Sequence, residues 1–263
     1  MSFTRVWAVA TKEMRLNMRF PLEYLASNFI SPLKSSVLMF ILYRGLLGED
    51  RSLGMLNGNN YQVYVLVGTT CHSLLMSSLS VFKSRMSAEK YWQTINATLV
   101  SPASIFETVL GFALGSGSIN VLISVIILTL TCLIFPISLM TYFAALAILL
   151  IISFLGYGLG IIGATFTLCW EGKTFLYEYV VQGVVFLSCF YYPIETFPSY
   201  AHPLIKLLPT YWASTIIHEL FNQGFAPDLT LMTLILVLNT AVILILPTIF
   251  LDWSIKRFGI VGY

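Results

Sequence analysis

Three histidines, four cysteines and twelve acidic residues are the groups in this 263-residue chain with the means to do chemistry. Their spacing assembles no catalytic set. His72 stands alone in an apolar run, His202 and His218 share a proline-rich stretch, and His218 adjoins Glu219. A metal or proton-relay reading of that pair competes with a plainer one, in which it forms the exposed polar edge of a helix. The plainer reading is expected. Cys71, Cys132, Cys169 and Cys189 all fall in apolar runs with no CxxC pair, the usage of small packing residues. Gly172-Lys173-Thr174 mimics the end of a phosphate-binding loop, but GxxxxGK[ST] requires glycine where Thr167 stands and a strand before the loop. An intramembrane enzyme would need paired His, Asp or Glu near one interface, and none converge. The chain is therefore expected to be no enzyme and to hold no cofactor, nucleotide or metal of its own.

Composition says what must position the remaining polar groups. Hydrophobic residues make up 57% of the chain and charged ones 10%, against roughly 25% charged in a soluble domain. Mean hydropathy is +0.84. Most of the surface must face something other than water. The net charge of +2 gives no case for nucleic-acid binding. The length has room for about six spans of roughly 20 residues and no soluble catalytic domain.

The apolar runs predict spans over residues 24–47, 61–82, 104–135, 139–169, 174–192 and 229–251. Before them, residues 3–20 read as an amphipathic helix on the membrane surface. Phe3, Val6, Trp7, Ala10 and Met14 recur at helical spacing, and Arg5, Lys12, Arg15 and Arg19 gather opposite them. These basic residues also interrupt any signal-peptide core, so no cleavage is expected. The chain divides into an interfacial helix (1–21) and a six-span domain (22–263). Pro32 and Lys34 make the first span the least clean; a lysine there must snorkel, face water or pair with an acid. Gly111/Gly115 and Gly156/Gly160 form two GxxxG pairs, expected to let helix backbones approach in the bundle interior.

With the N-terminus in the cytoplasm, ten basic residues lie inside (Arg5, Lys12, Arg15, Arg19, Lys83, Arg85, Lys90, Lys173, Lys256, Arg257) and two outside, Arg51 and Lys206. That bias predicts a multi-pass protein of the plasma (inner) membrane with both termini cytoplasmic. Between the second and third spans, Tyr91, Trp92, Ile95 and Leu99 recur at i, i+1, i+4 and i+8, a short amphipathic helix that Pro102 ends. Ser104 and Glu107 fit a capping box for the next helix. The apolar stripe needs a partner, either the membrane interface or a soluble protein.

The run Tyr91-Trp92-Gln93-Thr94-Ile95-Asn96-Ala97-Thr98-Leu99-Val100-Ser101-Pro102-Ala103-Ser104, followed by Gly111, resembles the type-2 ABC exporter (ABC-2 type) permeases. So does the later stretch Tyr191-Tyr192-Pro193-Ile194-Glu195-Thr196-Phe197-Pro198, with Leu207-Leu208-Pro209-Thr210-Tyr211 after it. The motifs are degenerate; their order over essentially the whole chain carries the likeness. The resemblance implies an all-α membrane protein of six transmembrane helices, with the N-terminal interfacial helix, a cytoplasmic coupling helix and outer re-entrant helices. It implies a second permease copy, most simply as a homodimer, contact with membrane lipid, and two cytoplasmic ATPase subunits that hold ATP and Mg. It implies export of drugs, lipids or lipid-linked polysaccharides. Glu89, Tyr91, Trp92, Ile95 and Leu99 are then the expected ATPase-coupling residues. Tyr191, Tyr192, Phe197, Tyr200, Tyr211, Trp212 and Glu219 are the expected translocation path or outer gate. Residues 193–228 are too apolar for a free loop, yet Pro193, Pro198, Pro203 and Pro209 deny them a continuous span. A secondary transporter or channel, the rival reading, would be expected to place charged or polar groups at midspan for ion coupling.

Overall fold

The computed structural model describes residues 2–19, 21–47, 60–95, 101–135, 137–224 and 227–258. Among them every regular element is helical. The chain begins with α1 (Phe3–Asn17), then α2 (Pro21–Leu25), a π turn (Ala26–Ile30) and α3 (Ser31–Leu47). The long α4 (Tyr61–Tyr91) follows. Next come α5 (Ile105–Phe112), a second π turn (Ala113–Gly117), α6 (Ser118–Ile134) and α7 (Leu139–Cys169). The remainder is α8 (Thr174–Leu187), α9 (His202–Lys206), α10 (Pro209–Gln223) and α11 (Pro227–Phe258).

Among the described residues, four helical stretches are long and apolar enough to cross a membrane: Tyr61–Tyr91, Ile105–Ile134, Leu139–Cys169 and Leu229–Arg257. The expected first and fifth spans are built differently. The first is α2, π turn and α3 end to end, from residue 21 to 47, about 40 Å at 1.5 Å per residue. Lys34 lies exposed on α3. The fifth, α8, stops at Leu187, about 21 Å long against a hydrocarbon core of about 30 Å. It stops there because Cys189 takes a left-handed φ of 57°, while the Ser188 hydroxyl reaches Thr210 Oγ1 at 2.5 Å. Residues 193–208 then make two 3₁₀ turns and the short α9, as the prolines require.

α7 sits at the centre, packed on α4 and α11. Its glycines allow this. A Cβ at Gly156 would stand 2.8 Å from the Leu75 carbonyl oxygen, and one at Gly160 would stand 3.1 Å from the Leu79 carbonyl carbon. Leu74, Leu75, Leu149 and Ile152 fill the seam with no exposure, and Ala213, Ile216 and Ile217 of α10 close it from the side. Outward faces are different in kind: Leu122, Ile126 and Leu133 on α6 and Leu234, Leu238 and Leu246 on α11 are all exposed, the surface a hydrocarbon solvent wants.

Candidate functional site

The C-terminal end of α4 and the N-terminal end of α5 are tied to α1 by charge. Lys12 Nζ lies 2.6 Å from Glu89, Arg85 Nε 2.5 Å from Glu13, and Arg5 3.7 Å from Glu107. The three carboxylates are nearly or wholly buried, Glu13 and Glu107 at 1% and 2% side-chain exposure. Glu107 closes the capping box: its own N–H donates to Ser104 Oγ at 3.2 Å, and Ser104 N–H donates back to Oε2 at 2.9 Å. Oε1 accepts from Ser2 N–H at 2.6 Å. The Asn17 amide donates to Ser116 Oγ at 2.9 Å, carrying the network into the second π turn. From there the Tyr24 hydroxyl, at the start of the first span, reaches Asn120.

α1 can approach so closely because of glycine. A Cβ at Gly115 would be 2.8 Å from the Ala10 carbonyl oxygen, and one at Gly111 would be 3.2 Å from that of Val6. The first GxxxG pair therefore seats the N-terminal helix, whereas the second joins α4 to α7. Val6, Ala10 and Glu13 form the seated face; Phe3 and Trp7 stack 6.4 Å apart on an exposed flank. Burial raises the Glu13 carboxyl above its ordinary 4.5, against the opposing pull of Arg85.

The expected coupling stripe is not one helix face. α4 runs on to Tyr91 and ends where Gln93 takes a left-handed φ of 56°, with Gln93 N–H donating to Lys90 O and Thr94 N–H to Glu89 O. That turn throws Tyr91 and Trp92 outward, 84% and 73% exposed, and folds Ile95 back to 0% exposure among Phe82, Met86, Val109 and Phe112. Tyr91 and Trp92 meet edge to face at 6.2 Å. Glu89 faces inward to Lys12. Leu99 lies outside the described residues.

The aromatics expected to form the translocation path are partly gathered. Tyr191 accepts the Tyr43 hydroxyl on its carbonyl, and its own hydroxyl shares a 2.6 Å hydrogen bond with His72 Nδ1. Tyr192, Phe197 and Phe186 form one aromatic cluster at 5.5–5.7 Å. Tyr211 is buried against Trp212, whose indole N–H donates to the Lys206 carbonyl at 2.8 Å. Tyr200 stands apart at 84% exposure, and Glu219 is half-buried. His218 is no exposed edge: it is 3% exposed and stacks on Tyr64 at 3.6 Å. It faces inward because α10 packs on α4 through this side.

Sequence reasoning missed a groove of about 440 Å³ between the first span and α4. Asn28, Pro32 and Ser35 line it from one side, Thr69, His72, Ser73, Met76, Ser77 and Ser80 from the other, and Tyr191 from above. The signal was present: Ser73, Ser77 and Ser80 recur at i, i+4 and i+7 in an otherwise apolar span.

No curated protein matches the chain. The family model described as ABC-2 type transporter matches residues 4–221, from the N-terminal helix through α10. With apolar helices long enough to cross a bilayer and a match over most of its length, this multi-pass membrane chain belongs to the ABC-2 type transporter family, as the permease component of an ABC transporter.

Proposed function

We propose that the chain is the membrane-spanning subunit of an ATP-driven exporter. It works as a homodimer in the plasma (inner) membrane, over two cytoplasmic ATPase subunits that bind ATP and Mg. Six spans, counting the kinked 21–47 stretch and the short α8, place both termini inside, and residues 193–223 re-enter from the outer face. Cargo is a drug, lipid or lipid-linked polysaccharide. The outer aromatics Tyr191, Tyr192, Phe197, Tyr200, Tyr211 and Trp212, with Glu219, form its outlet. The supporting observation is the corner after α4, where two large aromatics stand exposed on a backbone otherwise held by buried ion pairs. An aromatic anchor on a rigid element is what a partner's groove takes up. Glu89 and Ile95 act behind it, one pinning α1 and the other the core.

Trp92→Ala tests this. Removing a buried interface anchor costs roughly 2 kcal/mol or more, so the variant should insert normally yet lose most of the ATPase that co-purifies with the wild type. Wild-type co-purification would reject the corner as the docking point.

A further inference from the structure

Between Gly68 and Phe82, the residues of α4 that are not buried are His72, Ser73, Met76, Ser77 and Ser80. They form one stripe about 12 Å long, and four of the five are polar. This inverts the lipid-facing pattern of α6 and α11, whose open faces carry leucine and isoleucine. Polar groups turned to hydrocarbon cost free energy unless something hydrogen-bonds them. The stripe lines the 440 Å³ groove, and the hydrogen-bonding capacity its residues keep there favours a polar occupant.

The lining narrows what that is. Ser77 and Ser80 donate their hydroxyl hydrogens to the helix carbonyls of Leu74 and Ser77, and the Asn28 amide donates to the Tyr24 carbonyl. The Ser77 and Ser80 lone pairs can accept from a ligand, while the Ser73 hydroxyl and the His72 ring can also donate, so the groove suits a molecule that carries both donors and acceptors. No charged side chain lines it. The first charge on the same face is Lys83, one turn toward the cytoplasm and ion-paired to Glu178 of α8, a poor neighbour for a cation. With no Lys or Arg in the lining, an anion finds no counter-charge either.

We infer that this groove binds a neutral, polyhydroxylated ligand, a site that rests on the membrane-spanning permease reading and names the chemistry of its cargo. The test uses the full chain in lipid nanodiscs with three photoreactive amphiphiles that share one alkyl chain and carry a maltoside, a trimethylammonium or a sulfate head. The maltoside should label residues 69–84 about fivefold more than either charged probe, one net hydrogen bond's worth of preference. Ser77→Leu should abolish that excess and Ser77→Thr should keep it. Equal labelling by the three heads, preference for a charged head, or an excess that survives Ser77→Leu overturns the ligand class. Absence of labelling on α4 by every probe overturns the site, as it would if a second copy of the chain covered this face. Labelling of the α6 and α11 leucines by all three probes reports separately on the membrane reading and on the folding of each variant. If those leucines stay unlabelled, the spanning topology fails, and the inference fails with it.

Discussion

Glu13 is the residue on which the seam between α1 and α4 turns. Its carboxylate is almost fully buried, one oxygen engages Arg85, and the other has no hydrogen-bond partner among the described residues. Removing Arg85 strands that charge. Arg85→Ala should cost about 2–3 kcal/mol, below the usual toll for a fully buried pair because Arg85 keeps some water and Glu13 can take up a proton. The double variant with Glu13→Gln should recover most of the loss, as thermal unfolding in detergent would show. The pH dependence has a definite sign. Glu13's folded pKa is raised above 4.5, so the native state binds the proton more tightly than the unfolded chain. Its stabilising contribution is full below pH 4.5 and is lost as pH rises through the folded value. The melting-point difference between wild type and Glu13→Gln should therefore fall as pH rises across that window. A flat or rising difference would show that the Arg85 pair outweighs burial.

Between elements, glycine decides which helices touch. Gly156→Ala puts a methyl against Ser78 and the Leu75 carbonyl, forcing α4 off α7 at a cost of about 1–3 kcal/mol. Gly183→Ala on α8 meets open space and should leave the melting point unchanged or higher. Similar losses at both positions would deny the close approach. Much of this level was legible in the chain. The capping box at Ser104 and Glu107 and the bounds of α7 depend on local signals, and both stand as the sequence implied. What escaped depends on distant partners or unusual backbone. Gly111 and Gly115 read as span-packing residues because nothing local points to a helix about a hundred residues earlier. The coupling stripe read as one helix because a left-handed glutamine, unlike glycine, leaves no mark in sequence. His218 read as exposed because its stacking partner, Tyr64, lies in another helix. The α4 serine track was visible as spacing, but only the burial of the other residues between Gly68 and Phe82 shows that it is the open face there.

For the whole molecule, the proposed orientation ties the parts to opposite sides of the bilayer. In that orientation, which the concentration of basic residues supports, the α1–α4 seam and the Tyr91–Trp92 corner lie in the cytoplasm and residues 193–208 outside. A cysteine at exposed Ser199 should react with an impermeant thiol reagent applied to intact cells, and one at exposed Ser87 should react only after permeabilisation. The reverse pattern would invert the topology and remove the corner from any cytoplasmic partner. The central claim, that ATP hydrolysis in a partner drives this chain through Trp92, is tested most directly by hydrolysis itself. In proteoliposomes holding permease and ATPase, the wild type should raise ATP hydrolysis above the rate of the isolated ATPase, and Trp92→Ala should return it to that basal rate. Full stimulation by Trp92→Ala, or none by the wild type, would contradict it.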